Sequence, residues 1–192
     1  MTIAETVEYK GHTIEVHYDE FGESPRGLEC ALGTMLCFHR NYALGDKHNF
    51  SASDFEGWDD MKDYLYRRED AVVVLPLFLY DHSGLTMRTE PFACRWDSGQ
   101  VGFIYVSKET LLKEHGSDTE ETRKTAERLL RGEVEDYDRY LRGEVYGYTV
   151  EGPDCDDSCW GFYEDIDYVV EEAKTQIDWA LRHAQKQKEV SA

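Results

Sequence analysis

The nine residues Val72 to Tyr80, VVVLPLFLY, restrict the fold more than any other part of the chain. A strand with one face in water alternates apolar and polar residues. Here both parities are apolar, so the strand must be covered on both sides. Pro76 removes a ladder donor, which calls for a bulge or a local edge at that position. Asp81-His82-Ser83-Gly84 then turns the chain, and Leu85 to Thr89 leads out of the turn. Pro91 to Trp96 reads as extended, Asp97-Ser98-Gly99-Gln100 as a second turn, and Val101 to Val106 as a second buried strand.

The remaining elements can be placed around this pair. Val7 to Tyr18 predicts a hairpin turning at Lys10-Gly11, with Ile14 and Val16 on one face and Glu15 and His17 on the other. Thr34 to Phe38 predicts a buried strand, followed by a polar loop from His39 to Asn49. Ser51 or Ser53 can cap a helix whose first turn holds Asp54 and Glu56. Its apolar stripe is Phe55, Trp58, Met61, Tyr64 and Leu65, and Arg67 and Arg68 close it. Ser107 caps a short helix, Lys108 to His115, which Gly116 ends. A long helix follows from Asp118, striped by Ala126, Leu130, Val134, Tyr137 and Leu141, with Gly132 inside it and Gly143 as its C-cap. Val145 to Val150 reads as a strand, Cys159 to Tyr163 as a short edge strand, and Asp165 to Lys186 as a final helix. With 192 residues and no linker-like change of composition, the expectation is one α+β domain: a mixed or mostly antiparallel central sheet packed with about four helices.

Charge sets the class of partner. Forty acidic residues against twenty-one basic leave a formal charge of −19. Such a chain repels nucleic-acid phosphates and anionic membrane surfaces, so no direct nucleic-acid or membrane binding is expected. Basic surfaces attract it. The carboxylates concentrate in Glu151, Asp154, Asp156, Asp157, Glu164, Asp165, Asp167, Glu171 and Glu172, a run without Lys or Arg. Asp54, Glu56, Asp59, Asp60 and Asp63 form a second group. Duplex DNA carries a charge about every 1.7 Å of axis, so a dense carboxylate rim can stand in for phosphates before a basic groove. A solvated acidic face and a favourable helix N-terminus account for the same residues without a partner. The N-terminal residues show no secretory signal, and the longest apolar run is about half of a membrane span, so a cytoplasmic location is expected. Five cysteines, an odd number, suit free thiols in a reducing compartment.

Two constellations could carry chemistry. His82, Cys94 and Asp97 supply the parts of a nucleophile–base pair, His82 activating the Cys94 thiol and Asp81 or Asp97 orienting the imidazole. Tight turns choose the same residue types for backbone reasons. Cys155 and Cys159, with Cys94 and one of His39, His48 or His82, could form a tetrahedral zinc site, although one irregular pair supplies half of what zinc needs. Phosphate-cradling glycine loops, the HExxH zinc motif and the GxSxG nucleophile elbow are absent from the sequence, and no cofactor is expected.

Three stretches together resemble a known group: Leu32-Gly33-Thr34-Met35-Leu36-Cys37-Phe38-His39, then Leu44-Gly45-Asp46-Lys47-His48, then Tyr80 to Gly84 with Trp96 to Val106. They are similar to small acidic proteins of bacteriophages and other mobile elements. The resemblance implies a host-cell setting and a protein of the anti-CRISPR or anti-restriction type. Its implied partner is the basic surface of a nucleic-acid-processing protein, such as a Cas9-type CRISPR effector. It brings no catalytic residues.

Overall fold

The N-terminal hairpin joins β1 (Ile3–Tyr9) to β2 (His12–Tyr18) through Lys10 and Gly11, both at positive φ, as a two-residue turn between twisted strands requires. β2 also pairs antiparallel with β7 (Tyr146–Glu151), which pairs with β8 (Asp157–Phe162), giving the order β1-β2-β7-β8. The final helix α4 (Ile166–Val190) covers one face of this sheet. Val169, Val170, Ala173 and Ile177 pack there on Ile14, Val16, Tyr146, Tyr148 and Val150. The computed structural model describes all residues except Leu28, Glu29, Arg95, Asp154, Ser191 and Ala192, and the side chains of residues 187–190 lie outside the description.

The segment between β2 and β7 builds a second sheet in the order β3-β6-β4-β5, from β3 (Thr34–Cys37), β4 (Ala71–Asp81), β5 (Leu85–Arg88) and β6 (Ser98–Ser107). Both faces are covered, as the doubly apolar β4 demands. On one face α2 (Lys108–His115) and α3 (Glu120–Arg142) bring Leu111, Ala126, Leu130, Val134 and Tyr137 onto Val73, Leu75, Leu77, Leu79, Ile104 and Val106. On the other, α1 (Trp58–Arg68) sets Met61 and Leu65 against Leu36, Val74, Phe103 and Tyr105. Pro76 sits opposite Phe103 on β6, while β5 pairs with β4 only from Phe78 to Asp81. Its other side is therefore a local edge, with a bulge immediately after, at Leu77/Phe78.

Contacts divide the chain into two compact units, Met1–Glu23 with Gly143–Ala192, and Ser24–Arg142. The α+β class, four helices and antiparallel pairing match the expectation; the strands divide between two sheets instead of forming one central sheet. Several local expectations change. Ser98, Gly99 and Gln100 do not turn but pair with Tyr80, Leu79 and Phe78, because the second buried strand starts three residues earlier than its apolar run. Residues 91–94 are not in a strand. The capped segment after Ser51 is a single 3-10 turn, Ala52–Asp54, and α1 begins only after Gly57, which places Asp59 and Asp60 in its first turn. His17 is buried although its parity faces away from α4, because its ring packs 5.7 Å from that of Trp160.

Candidate functional site

The acidic run lies in the unit made by the two chain ends, in two groups. The first is at the β7–β8 hairpin, where Glu151, Asp156 and Asp157 are exposed. They line a shallow depression with Thr149, Gly152 and Ser158. The Gly152 N–H donates to Asp156 Oδ1 at 3.3 Å, fixing the turn, and the Tyr148 hydroxyl donates to Asp157 Oδ2 at 3.5 Å. Burial, then the Asp157 charge, pushes the Tyr148 phenol well above its ordinary range. The Cys155 thiol is raised by burial and by Asp157 and Asp156.

The second group surrounds the start of α4. Asp165 caps the helix, accepting the Tyr168 N–H at 2.9 Å. Glu164 and Asp167 are exposed, and Glu171 receives Lys174 at 2.7 Å. The charge of Glu172, then burial and Glu164, raises the Tyr168 phenol. A row of rings links the two groups: Tyr148 to Phe162 at 5.9 Å and Phe162 to Tyr168 at 6.4 Å. Glu151, Asp156, Asp157, Glu164, Asp165, Asp167, Glu171 and Glu172 are thus carried by one unit, with Lys174 the cation paired to them among the described residues. Asp154 lies outside the described residues. Asp59 and Asp60 belong to the other unit, where both are exposed and Asp60 Oδ2 accepts the Glu56 N–H at 3.1 Å.

The turn residues His82, Cys94 and Asp97 do converge. His82 Nδ1 and Cys94 Sγ each lie 3.6 Å from the same atom, Asp97 Oδ2. Asp97 also accepts the Asp81 N–H on its carbonyl at 2.8 Å, and the Ser98 hydroxyl donates to the Cys94 carbonyl. The chemical order is thiol–carboxylate–imidazole. A nucleophile–base pair needs the imidazole on the sulfur, with the carboxylate behind it. As arranged, Asp97 ties the β4–β5 turn to the irregular segment that leads into β6, and its contacts are those of a turn clasp.

Cys155 and Cys159 do not gather further ligands: no group of three or more His, Cys, Asp or Glu side chains able to hold a metal ion occurs among the described residues. By sequence His39 to Asn49 is a plain polar loop. In the structure this loop walls a cavity with Phe38, His39, Arg40, Tyr42, Lys47 and His48 on it. Two cations and two histidines against one aspartate, in a chain of opposite charge, were the available signal. Trp96 is 95% exposed beside the clasp. Comparison of the chain with protein-family models, curated proteins and solved structures finds no match.

Proposed function

We propose that the protein is a binding protein that inhibits a nucleic-acid-processing partner by presenting carboxylates to the basic surface that otherwise takes phosphates. The supporting observation is the pair of carboxylate groups on one unit, at the β7–β8 hairpin and the α4 N-terminus, within a chain of charge −19. The resemblance to mobile-element proteins directs the choice of partner to a host defence nuclease, a Cas9-type effector being the first to try. Long-range attraction between an acidic face and a basic groove brings fast association and strong dependence on salt.

The test is competition: the protein is titrated into an effector–DNA complex at two salt concentrations. DNA should be displaced near ~0.05 M salt, and displacement should weaken by at least about tenfold near ~0.3 M as the Debye length shortens. The triple variant Glu164→Gln, Asp167→Asn, Glu172→Gln should compete less well, while Asp165 is retained because it caps α4. Cys94→Ala should compete as the parent does, which separates this reading from a cysteine-dependent enzyme. No displacement at the lower salt would remove phosphate mimicry for the effector tried.

A further inference from the structure

Residues of the segment 37–48, with Ala52, line an open cavity of about 680 Å³, in the range of small-molecule sites. Its floor is Cys37 and Leu44, both buried. Its wall is anchored at both ends. The Phe38 N–H donates to the Val101 carbonyl at 2.7 Å, the Asp46 N–H to the Met35 carbonyl at 2.8 Å, and the Gly45 N–H to the Tyr137 hydroxyl at 2.9 Å. His48 Nε2 closes the mouth of the loop on the Cys37 carbonyl at 3.0 Å. Gly45 stands at φ +70, with the Met35 carbonyl oxygen 2.6 Å from where a Cβ would be. The loop is therefore held in shape before any ligand arrives, which lowers the ordering cost of binding.

Two features of the wall define what fits. Tyr42 and His39 stack at 4.9 Å with an 18° angle between their planes, a flat platform of the kind on which aromatic bases pile. Arg40 and Lys47 are exposed, and neither meets a carboxylate at ion-pair distance among the described residues. The carboxylates nearest in the chain are already committed: Asp46 to Arg26 at 2.7 Å, and Asp54 to the Ser51 N–H at 2.7 Å. Those carboxylates keep their charge, but Arg40 and Lys47 are two wall cations that no carboxylate pairs among the described residues, in a chain at −19 overall. At physiological salt charges farther than about 8 Å are largely screened, so a small anion responds to this pair and not to the total. A nucleic-acid polymer, spanning many such lengths, still meets the repulsion of the rest.

We propose that this cavity binds a mononucleotide, its base on the Tyr42–His39 stack and its phosphate on Arg40 and Lys47. The site uses none of the acidic residues assigned to partner binding, so it stands or falls independently of that reading. Calorimetric titration of the full chain with adenosine monophosphate, adenosine and inorganic phosphate tests it. The nucleotide should saturate with a dissociation constant below about 1 mM, and adenosine and phosphate should each bind at least about tenfold more weakly. The Arg40→Gln, Lys47→Gln double variant should lose about tenfold in nucleotide affinity and leave adenosine unchanged. Tyr42→Ala should weaken nucleotide and adenosine alike. All three side chains are exposed, and unchanged circular dichroism confirms the fold of each variant. Absence of saturation by the nucleotide, an affinity indifferent to either variant, or phosphate binding as tightly as the nucleotide would each overturn the proposal.

Discussion

Arg26 shows how much a single residue can hold. Its side chain is 5% exposed, and all three of its nitrogens make hydrogen bonds. Nε and Nη2 reach Asp46 at 2.9 and 2.7 Å, Nη1 reaches Glu133 at 2.7 Å, and Nη2 also donates to the Gly33 carbonyl at 2.6 Å. Both carboxylates also take backbone N–H groups: Asp46 from Met35 at 2.7 Å, Glu133 from Leu32 at 2.7 Å. Removing the cation leaves two largely buried carboxylates without their counter-charge. Arg26→Met should therefore cost about 3–5 kcal/mol, read as a fall in the urea midpoint at neutral pH; Arg26→Lys should cost less but lose the two-pronged contact. An unchanged midpoint would show that the pair contributes nothing net. None of this was legible in the sequence. Arg26 looked like one more residue of a polar loop, because its partners lie 20 and 107 positions away and no periodicity marks them. The clasp at Asp97 was half legible: its three members could be named, but only the fold sets their order.

At the scale of elements, close backbone approach decides β3 and β6. A Cβ on Gly102 would lie 1.8 Å from the Leu36 carbonyl oxygen and 3.1 Å from the Cys37 Cα, all backbone of the neighbouring strand. Gly102 pairs with Cys37 on one side and Leu77 on the other, so neither strand can yield without losing its ladder. Gly102→Ala should cost at least about 3 kcal/mol by chemical denaturation. Gly132→Ala is the control: that glycine sits inside α3 with nothing within 4 Å of an added Cβ. It should stabilise by about 0.5–1 kcal/mol through helix propensity. If both variants behave alike, steric approach is not what Gly102 provides. Elements were the most legible scale, because their signals are local. Ser107 and Gly116 bound α2 where the cap chemistry placed them, Gly143 ends α3 at φ +70, and Lys10-Gly11 turns the first hairpin. The start of α1 was misplaced because Ser51 caps only a 3-10 turn, with Gly57 standing between that turn and the helix.

At the scale of the whole molecule, the division of strands between two sheets was hidden for a plain reason. β2 pairs with β7 across a sequence separation of more than a hundred residues, as in Ile14 opposite Val150, and no change of composition marks where the middle unit begins or ends. Net charge, by contrast, is a whole-molecule quantity that composition states outright, and it makes a prediction of definite sign. Among the described residues many ion pairs join exposed side chains, such as Arg67–Asp63, Lys124–Glu120 and Lys113–Glu114, and an exposed pair contributes at most about 1 kcal/mol. Nineteen uncompensated negative charges repel one another over the folded surface and are farther apart once the chain unfolds. Raising sodium chloride from about 0.02 M to about 0.5 M shortens the screening length from about 20 Å to about 4 Å and weakens repulsion and surface pairing together. With nineteen excess charges set against surface pairs worth at most about 1 kcal/mol each, the thermal midpoint at pH 7.5 should rise with salt, by about 2–4 °C for each kcal/mol of net repulsion removed. A fall would mean that the pairs outweigh the net charge. The sign also protects the functional test. Salt should strengthen the fold while it weakens capture of a basic partner, so a competitor that fails at high salt has lost its attraction and not its structure.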